Sequence, residues 1–334
     1  MMRQPEGYNP QKFVVLNFLT CQQMMEEAAM NGDGLSGVGI RLFLGKGGVG
    51  KTTCAAATSL HFAEAGERTL VLSTDPTPSL SHIFDRQRSE PEHEVVKRLF
   101  LTELGLEEVR TMWDERFGRE VYAVFSAFVD VEYGTFVEFM TSVLPGLNEE
   151  FMVDYVRRLA LEGRYRRIVW DTAPLGQTLA LLGTPSLLAR HLRMAPRVYS
   201  HLRTSGERRE SMMDVLRRWE SLAGLCMAFL RQSVRFVMVT IPEALALRQL
   251  DDVFRELAHY ELKVEHLIVN NVITVADSPF LAQKAAQQQE HLRQLRQRYG
   301  QLPITEIPLF PQEIQGLERL RQVAAVLGPG LHDR

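Results

Sequence analysis

Cysteine is scarce in this chain. The 334 residues contain three, Cys21, Cys54 and Cys226, far apart and with no C-x-x-C spacing. That argues against a disulfide framework or a structural zinc site within one chain, and it fits a reducing compartment. Neither sign of charge is in excess. With a formal net charge of −3 and a pI near 6.3, there is no electrostatic case for a nucleic-acid partner. Long hydrophobic runs are missing as well, and the longest falls well short of the roughly 20 residues of a transmembrane helix. No internal repeat is present. What remains, 45% hydrophobic and 24% charged residues, is the make-up of an ordinary globular protein. Its length suits one large α/β domain or two small ones.

One stretch carries a definite chemistry: Gly45-Lys46-Gly47-Gly48-Val49-Gly50-Lys51-Thr52-Thr53. A short apolar run, Ile40 to Leu44, precedes it, and Cys54-Ala55-Ala56-Ala57, a good helix former, follows. Strand, glycine loop and helix in that order make a phosphate-binding loop. The glycines let backbone N–H groups close around phosphate oxygens, and the helix N-terminus adds partial positive charge. Lys51 is suited to bridge the β- and γ-phosphates as a point charge, and the Thr52 hydroxyl to ligate Mg²⁺. The stretch is expected to bind a nucleoside triphosphate. Lys46, a second lysine just after the first glycine, marks the deviant form of the loop. Such a lysine can serve a neighbouring subunit as a cationic finger on the transferring phosphoryl group; otherwise it is an ordinary solvated lysine.

After the loop, Lys51 to Ala65 reads as a helix that Gly66 stops, and Thr69 to Ser73 as a buried strand. Thr74-Asp75-Pro76 stands at the strand's C-terminal end. Ligands of doubly wound sheets sit outside the carboxyl ends of the strands, so Asp75 falls close to the phosphates, where a carboxylate orients an attacking water. An Asp beginning an Asp-Pro turn is the other reading. Residues 86–94 read as a polar surface loop, and Arg98 to Leu101 as a short strand. From Trp113 the chain reads as helical and apolar. Phe117, Val121, Val124, Phe125 and Phe128 share one helix face, and Phe136, Val137, Phe139 and Met140 continue it to a break at Pro145-Gly146.

Ile168-Val169-Trp170-Asp171 is a buried strand ending in an acid, placed to hold Mg²⁺ directly or through water. Thr172-Ala173-Pro174-Leu175-Gly176 follows, a small-residue turn able to respond to a γ-phosphate. A second helical stretch, about 186–231, carries Met212, Leu216 and further apolar residues on one face, with Met213 beside them. Strands at 236–239, 267–269 and 304–307 then alternate with helices at about 244–262, 282–299 and 311–327. This alternation implies an α/β fold, a mostly parallel, doubly wound sheet with helices on both faces. The expected division is an extension over 1–38 and a P-loop domain over 39–330. An inserted helical subdomain would come from about 108–160 and 186–231. The extension reads as one helix, about Gln11 to Met30, ended by Asn31-Gly32-Asp33-Gly34. Phe13 to Cys21 is faintly like a signal-peptide core, but its positive flank is only Arg3 and Lys12, so a cytoplasmic location is expected.

Several motifs in order resemble one family. Residues 46–53, Ser73-Thr74-Asp75-Pro76 and Asp171-Thr172-Ala173-Pro174 are similar to the arsenical pump-driving ATPase family. That family includes the ATPase for guided entry of tail-anchored membrane proteins. Pro145-Gly146, Val239-Thr240-Ile241-Pro242-Glu243, Val269-Asn270-Asn271 and Ile307-Pro308-Leu309 match its later landmarks. The resemblance implies a Mg-ATPase in which Lys46 crosses a homodimer interface and Asp75 positions the water. It also implies that Thr52 and Asp171 serve Mg²⁺, and that Asn270, Pro308 and Leu309 hold the adenine. In its targeting members, helical inserts of both subunits form an apolar groove for a client's transmembrane helix when ATP closes the dimer. Here Phe117, Val121, Phe125, Phe128, Met140, Met212, Met213 and Leu216 would line it.

The departures also speak. The segment Asp277 to Leu292 has no cysteine where eukaryotic targeting members carry a zinc-binding pair, so no zinc is expected and the dimer would depend on nucleotide. Cys226 alone in the helical region speaks against arsenite as effector. Leu175, Gln177, Pro78 and Ser79 replace usual family residues. The expectation is therefore a dimeric targeting ATPase, acting on an apolar client helix and with a membrane receptor or pump beyond it. The alternatives are an ATPase subunit driving an arsenite or anion pump, and a spatial regulator of the Min and partition type.

Overall fold

Alternation along the strands decides the layers. In β1 (Gly39–Leu44), Ile40, Leu42 and Leu44 enter one core and Phe43 the opposite one, and all are buried. A strand buried on both faces belongs inside a parallel sheet covered by helices. The computed structural model describes residues 37–74, 79–86, 92–119, 122, 126, 131–143, 147–172, 218 and 221–330. Its further strands are β2 (Thr69–Ser73), β3 (His93–Val96), β4 (Leu99–Glu103), β5 (Arg167–Asp171), β6 (Val234–Thr240), β7 (Val264–Val272) and β8 (Ile304–Pro308). They form one 8-stranded sheet in the order β3-β4-β2-β5-β1-β6-β7-β8. Only β3 runs antiparallel to its neighbour.

The helices are α1 (Lys51–Glu64), α2 (Leu80–Ile83), α3 (Leu106–Trp113), α4 (Tyr133–Val143), α5 (Leu147–Leu161), α6 (221–232), α7 (Ala244–His259), α8 (Pro279–Tyr299) and α9 (Leu317–Leu327). On one face Phe43, Val71, Val169 and Ile268 pack with Leu60 of α1, Leu80 of α2 and Leu320 of α9. On the other, Leu42, Leu70 and Trp170 pack with Trp113, Phe136, Val156, Cys226, Leu250 and Leu295 from α3 to α8. Each large side chain so buried contributes about 1.5–3 kcal/mol. The doubly wound α/β sheet expected from the sequence is present.

Three local expectations need correction. Part of the loop expected over 86–94 is strand, because His93 and Glu94 open β3. Only Val95 of β3 is buried, as befits a short edge strand, so it has little apolar signal to read. The helix expected from Trp113 onward is not regular at its start. Trp113 ends α3, and Asp114–Gly118 forms a π-helical turn, with the Tyr133 hydroxyl donating to the Asp114 carboxylate. Finally, α9 begins at Leu317 rather than near 311, after Gly316 in a left-handed conformation (φ 79°).

Buried charge ties the helical side together. Asp154 of α5, fully buried, receives Arg157 at 2.7 Å, Arg158 at 3.2 Å and Arg116 from the π-helical turn at 3.2 Å. Removing one partner of such a cluster costs about 3–5 kcal/mol.

A second buried polar group sits on the other face. His266 of β7 is 5% exposed and shares a 2.9 Å hydrogen bond with the Thr305 hydroxyl. Burial first, and the Arg41 charge second, lower its pKa from 6.5 to about 4. The folded chain thus keeps His266 neutral where the unfolded chain would protonate it. Its stabilising contribution is complete above pH 6.5 and is lost as pH falls towards 4. His266→Gln should therefore flatten the acid side of a stability-against-pH curve, removing up to about 1.4 kcal/mol per pH unit in that window. Parallel wild-type and variant curves between pH 6.5 and 4 would exclude this assignment.

Candidate nucleotide site

The site grows from the C-terminal edge of β1. At Gly45 a Cβ would lie 2.4 Å from the Val239 carbonyl oxygen of β6, so no side chain fits where the chain turns off the sheet. Gly50, left-handed at φ 93°, then forms the N-cap of α1. No side chain caps that helix, which leaves its first N–H groups oriented for an anion, as a phosphate cradle requires. Lys51 is buried, and its Nζ donates to the Lys46 carbonyl at 3.2 Å, spanning the loop. The Lys46 side chain itself is exposed at the rim, while Val49 is buried beneath the loop. Thr52 and Thr53 stand half-buried in the first turn of α1.

Two neighbouring strands bring the acid. Asp171, at the end of β5, is fully buried and pairs in register with Phe43 of β1 and Ser73 of β2. The Ser73 hydroxyl donates to its carboxylate at 3.5 Å. The Thr172 hydroxyl donates to the Phe43 carbonyl at 2.8 Å and locks the start of the following turn to β1. Thr74 is held by β5 twice. Its N–H donates to the Asp171 carbonyl at 3.1 Å, and its hydroxyl accepts the Trp170 indole N–H at 3.1 Å. The residue before Asp75 is thereby fixed.

The start of α2 is fixed by an acid that sequence reasoning missed. Glu103, at the end of β4, accepts from the Leu80 N–H at 2.7 Å, the Ser81 N–H at 3.3 Å and the Ser81 hydroxyl. This holds α2 so that the Ser79 hydroxyl lies 3.4 Å from that of Thr52. The signal was present in the sequence, since Leu99 to Glu103 ends in an acid after an apolar run just as β5 does.

Thr52 and Asp171 offer hard oxygen donors of the kind Mg²⁺ takes. Among the described residues no three His, Cys, Asp or Glu side chains converge. Bound there with a nucleotide, Mg²⁺ would supply positive charge to the phosphates. With a nucleotide bound, the chain's own part would be to cradle the phosphates in the 45–53 loop, supply the Lys51 charge and hold the buried Asp171 carboxylate near them. Cys54 lies in the same region but takes no part, because burial, and then nearby Asp171, push its thiol up to about 12.

The residues expected to hold the adenine are placed differently from one another. The Asn270 side chain reaches the phosphate loop, donating to the Val49 carbonyl at 2.9 Å. Pro308 ends β8 opposite Val272, and the Leu309 N–H donates to the Val272 carbonyl at 2.8 Å, with the Leu309 side chain 48% exposed. Asp75, Ala173, Pro174 and Gly176 lie outside the described residues, as do Val121, Phe125, Phe128, Met212, Met213 and Leu216. The side chain of Met140 also lies outside them. Phe117 is half-buried, its ring edge-on to Phe151 at 6.1 Å.

Residues 39–328, the whole of this sheet, match the family described as anion-transporting ATPase. The chain belongs to that family. Among curated relatives, it is 31% identical over 296 residues to ATPase GET3A of Arabidopsis thaliana, covering 83% of this chain and 80% of the relative. It is 28% identical over 315 residues to ATPase ARSA2 of Chlamydomonas reinhardtii, covering 85% and 82%. With ATPase GET3 of Podospora anserina the identity is 25% over 307 residues, covering 85% and 88%. Membership of the anion-transporting ATPase family makes the chain an ATP-hydrolysing enzyme. No helix among the described residues is long and apolar enough to cross a membrane.

Asp171→Asn tests the centre of the site, because it removes charge while keeping size. It should melt within a few degrees of wild type, retain ATP binding and lose Mg-dependent turnover on the order of 10²-fold or more. Turnover within a few-fold of wild type would take the carboxylate out of the reaction.

Proposed function

We propose that this ATPase is a targeting factor, a homodimer closed by ATP that offers an apolar groove to a membrane helix of a client protein. The observation that carries the reading is the make-up of α4. Its sequence, YGTFVEFMTSV, holds a single charged residue, Glu138. Phe136 and Val137 are buried, yet Phe139 is 42% exposed. Phe139 thus stands on the exposed side of α4, beside Gly134, Thr135 and Glu138, where a large apolar side chain calls for cover. The sequence pattern adds Phe117, Val121, Phe125, Phe128 and Met140 in the same stretch, and Met212, Met213 and Leu216 in the second. Methionine suits a surface that must accept varied helices. Were these side chains exposed together, their apolar area would exceed the few hundred Å² tolerated on a monomer, and the nucleotide state would open and hide it.

In this reading the two subunits share the chemistry. Lys46, exposed at the rim of the loop, reaches the partner's phosphates. Asp75 orients the water, and the turn at Thr172, Ala173, Pro174 and Gly176 passes the γ-phosphate's presence to the helical side. The work is done in the cytoplasm. Relatives bearing the GET3 name support this reading. The family description favours a second one, an ATPase subunit that drives an anion pump. Against arsenite as its cargo, Cys54 and Cys226 are both buried, whereas a soft metalloid needs convergent thiolates.

Wild type should capture a synthetic tail-anchor helix with Mg-ATP and release it without nucleotide. Failure to capture an apolar helix in any nucleotide state sinks the targeting reading. Phe139→Asp, Phe125→Asp and Met213→Asp should melt within a few degrees of wild type, keep basal turnover and lose capture. A loss of more than about 3 kcal/mol of stability in all three would make these residues core.

Sharing of the site has its own test. Lys46→Ala and Asp75→Asn should each lose turnover on the order of 10²-fold or more, and an exchanged mixture should regain part of it. One of the two sites in a mixed dimer then holds both groups. A mixture as inactive as its parents, with exchange verified, would place Lys46 in cis.

A further inference from the structure

The C-terminal end of β7 does not run straight. Its pairing with β8 shifts register between Val269 and Val272, leaving Asn270 and Asn271 out of the regular ladder. Asn271 is left-handed (φ 58°), a conformation that asparagine tolerates better than most residues. Gln288 of α8 clamps this kink from both sides. Its Nε2 donates to the Asn271 carbonyl at 3.0 Å, and its Oε1 accepts from the Ile273 N–H at 2.8 Å. A single carboxamide thus satisfies two backbone groups that the ladder does not.

Bulges of this kind bend a strand and re-aim a side chain, often next to an active site. Here the side chain is Asn270, whose Nδ2 donates to the Val49 carbonyl in the middle of the phosphate loop at 2.9 Å. The approach is close. A Cβ at Gly50 would sit 2.2 Å from the same Nδ2, so the contact exists only because residue 50 has no side chain.

We infer that Asn270 and Gln288 are positioning residues of the phosphate loop. Gln288 sets the bulge, and the bulge aims Asn270 to hold the Val49–Gly50 peptide. In a trans peptide the carbonyl and the following N–H point opposite ways. Fixing the Val49 carbonyl on Asn270 therefore directs the Gly50 N–H to the other side, as a phosphate cradle requires. The contact acts on the phosphates, whereas the family resemblance assigned Asn270 to the base. It rests on the 45–53 loop being the phosphate site and is independent of the client.

The experiment compares Mg-ATP, Mg-GTP and Mg-tripolyphosphate, the last having no base or sugar, by titration on wild type, Asn270→Ala and Gln288→Ala. All three ligands should weaken by one common factor, about three- to tenfold for the loss of a hydrogen bond, with the ATP-to-GTP affinity ratio unchanged. Amide exchange over residues 45–53 should quicken in the nucleotide-free variants while the melting temperature stays within a few degrees. Gln288→Glu keeps an acceptor for Ile273 and loses the donor to Asn271, so it should fall between wild type and Gln288→Ala. A loss confined to ATP would make Asn270 a base contact and overturn the inference, as would unchanged loop exchange in both alanine variants. Wild type that binds neither ATP nor tripolyphosphate would overturn the phosphate site, and this role with it. Variants that bind like a competent wild type would overturn the role alone.

Discussion

The parallel pairing of β1 between β5 and β6 is the constraint on which the rest depends. It sets Phe43 opposite Asp171 on one side and Leu44 opposite Met238 on the other. A one-residue slip would turn every side chain of β1 to the wrong face and carry Gly45 away from its seat against Val239. The glycine loop, the buried acid and the start of α1 are in place together because one register places them all. That register is secured by burial, since β1 is flanked by apolar cores on both faces. The site's precision is thus inherited from a strand buried on both faces rather than from the loop itself.

The segments around that edge are held differently. The described residues on either side of 75–78 are tied to strand ends, Thr74 to β5, and Leu80 and Ser81 through Glu103 to β4. Hydrogen bonds of this sort contribute modestly in net terms but are directional, so they fix orientation more than they add stability. On the helical side the fastening is ionic, three arginines around the single buried carboxylate of Asp154. Such a cluster is costly to break and weakly stabilising when intact, which makes it a device for a unique arrangement more than for strength.

Much of this was legible in the sequence because the signals are local. The apolar run before Gly45, the glycines and Lys51-Thr52 declare a strand, a loop and a helix start, and the acid after Ile168-Val169-Trp170 declares a strand end. β3 was not legible, since an edge strand with one buried side chain carries almost no hydrophobic pattern. Neither was the π-helical turn at Asp114–Gly118. Helical spacing counted from Phe117 assumes 3.6 residues per turn, and a π turn breaks that count at its first step. Gln288 was invisible for a different reason. Its partners are backbone atoms at Asn271 and Ile273, so no residue type marks the contact. Asn270 carried a signal through the family resemblance, but only the fold connects it to Val49, across 221 positions.

The buried thiol of Cys54 has a further consequence. It stands one turn into the helix that follows the phosphate loop, at 1% exposure. Oxidants and electrophiles attack the thiolate, and burial, with nearby Asp171, raises the thiol's pKa and keeps it protonated at neutral pH. A thiol so buried and so held in its protonated form offers peroxide or a disulfide little purchase beside the 45–53 loop.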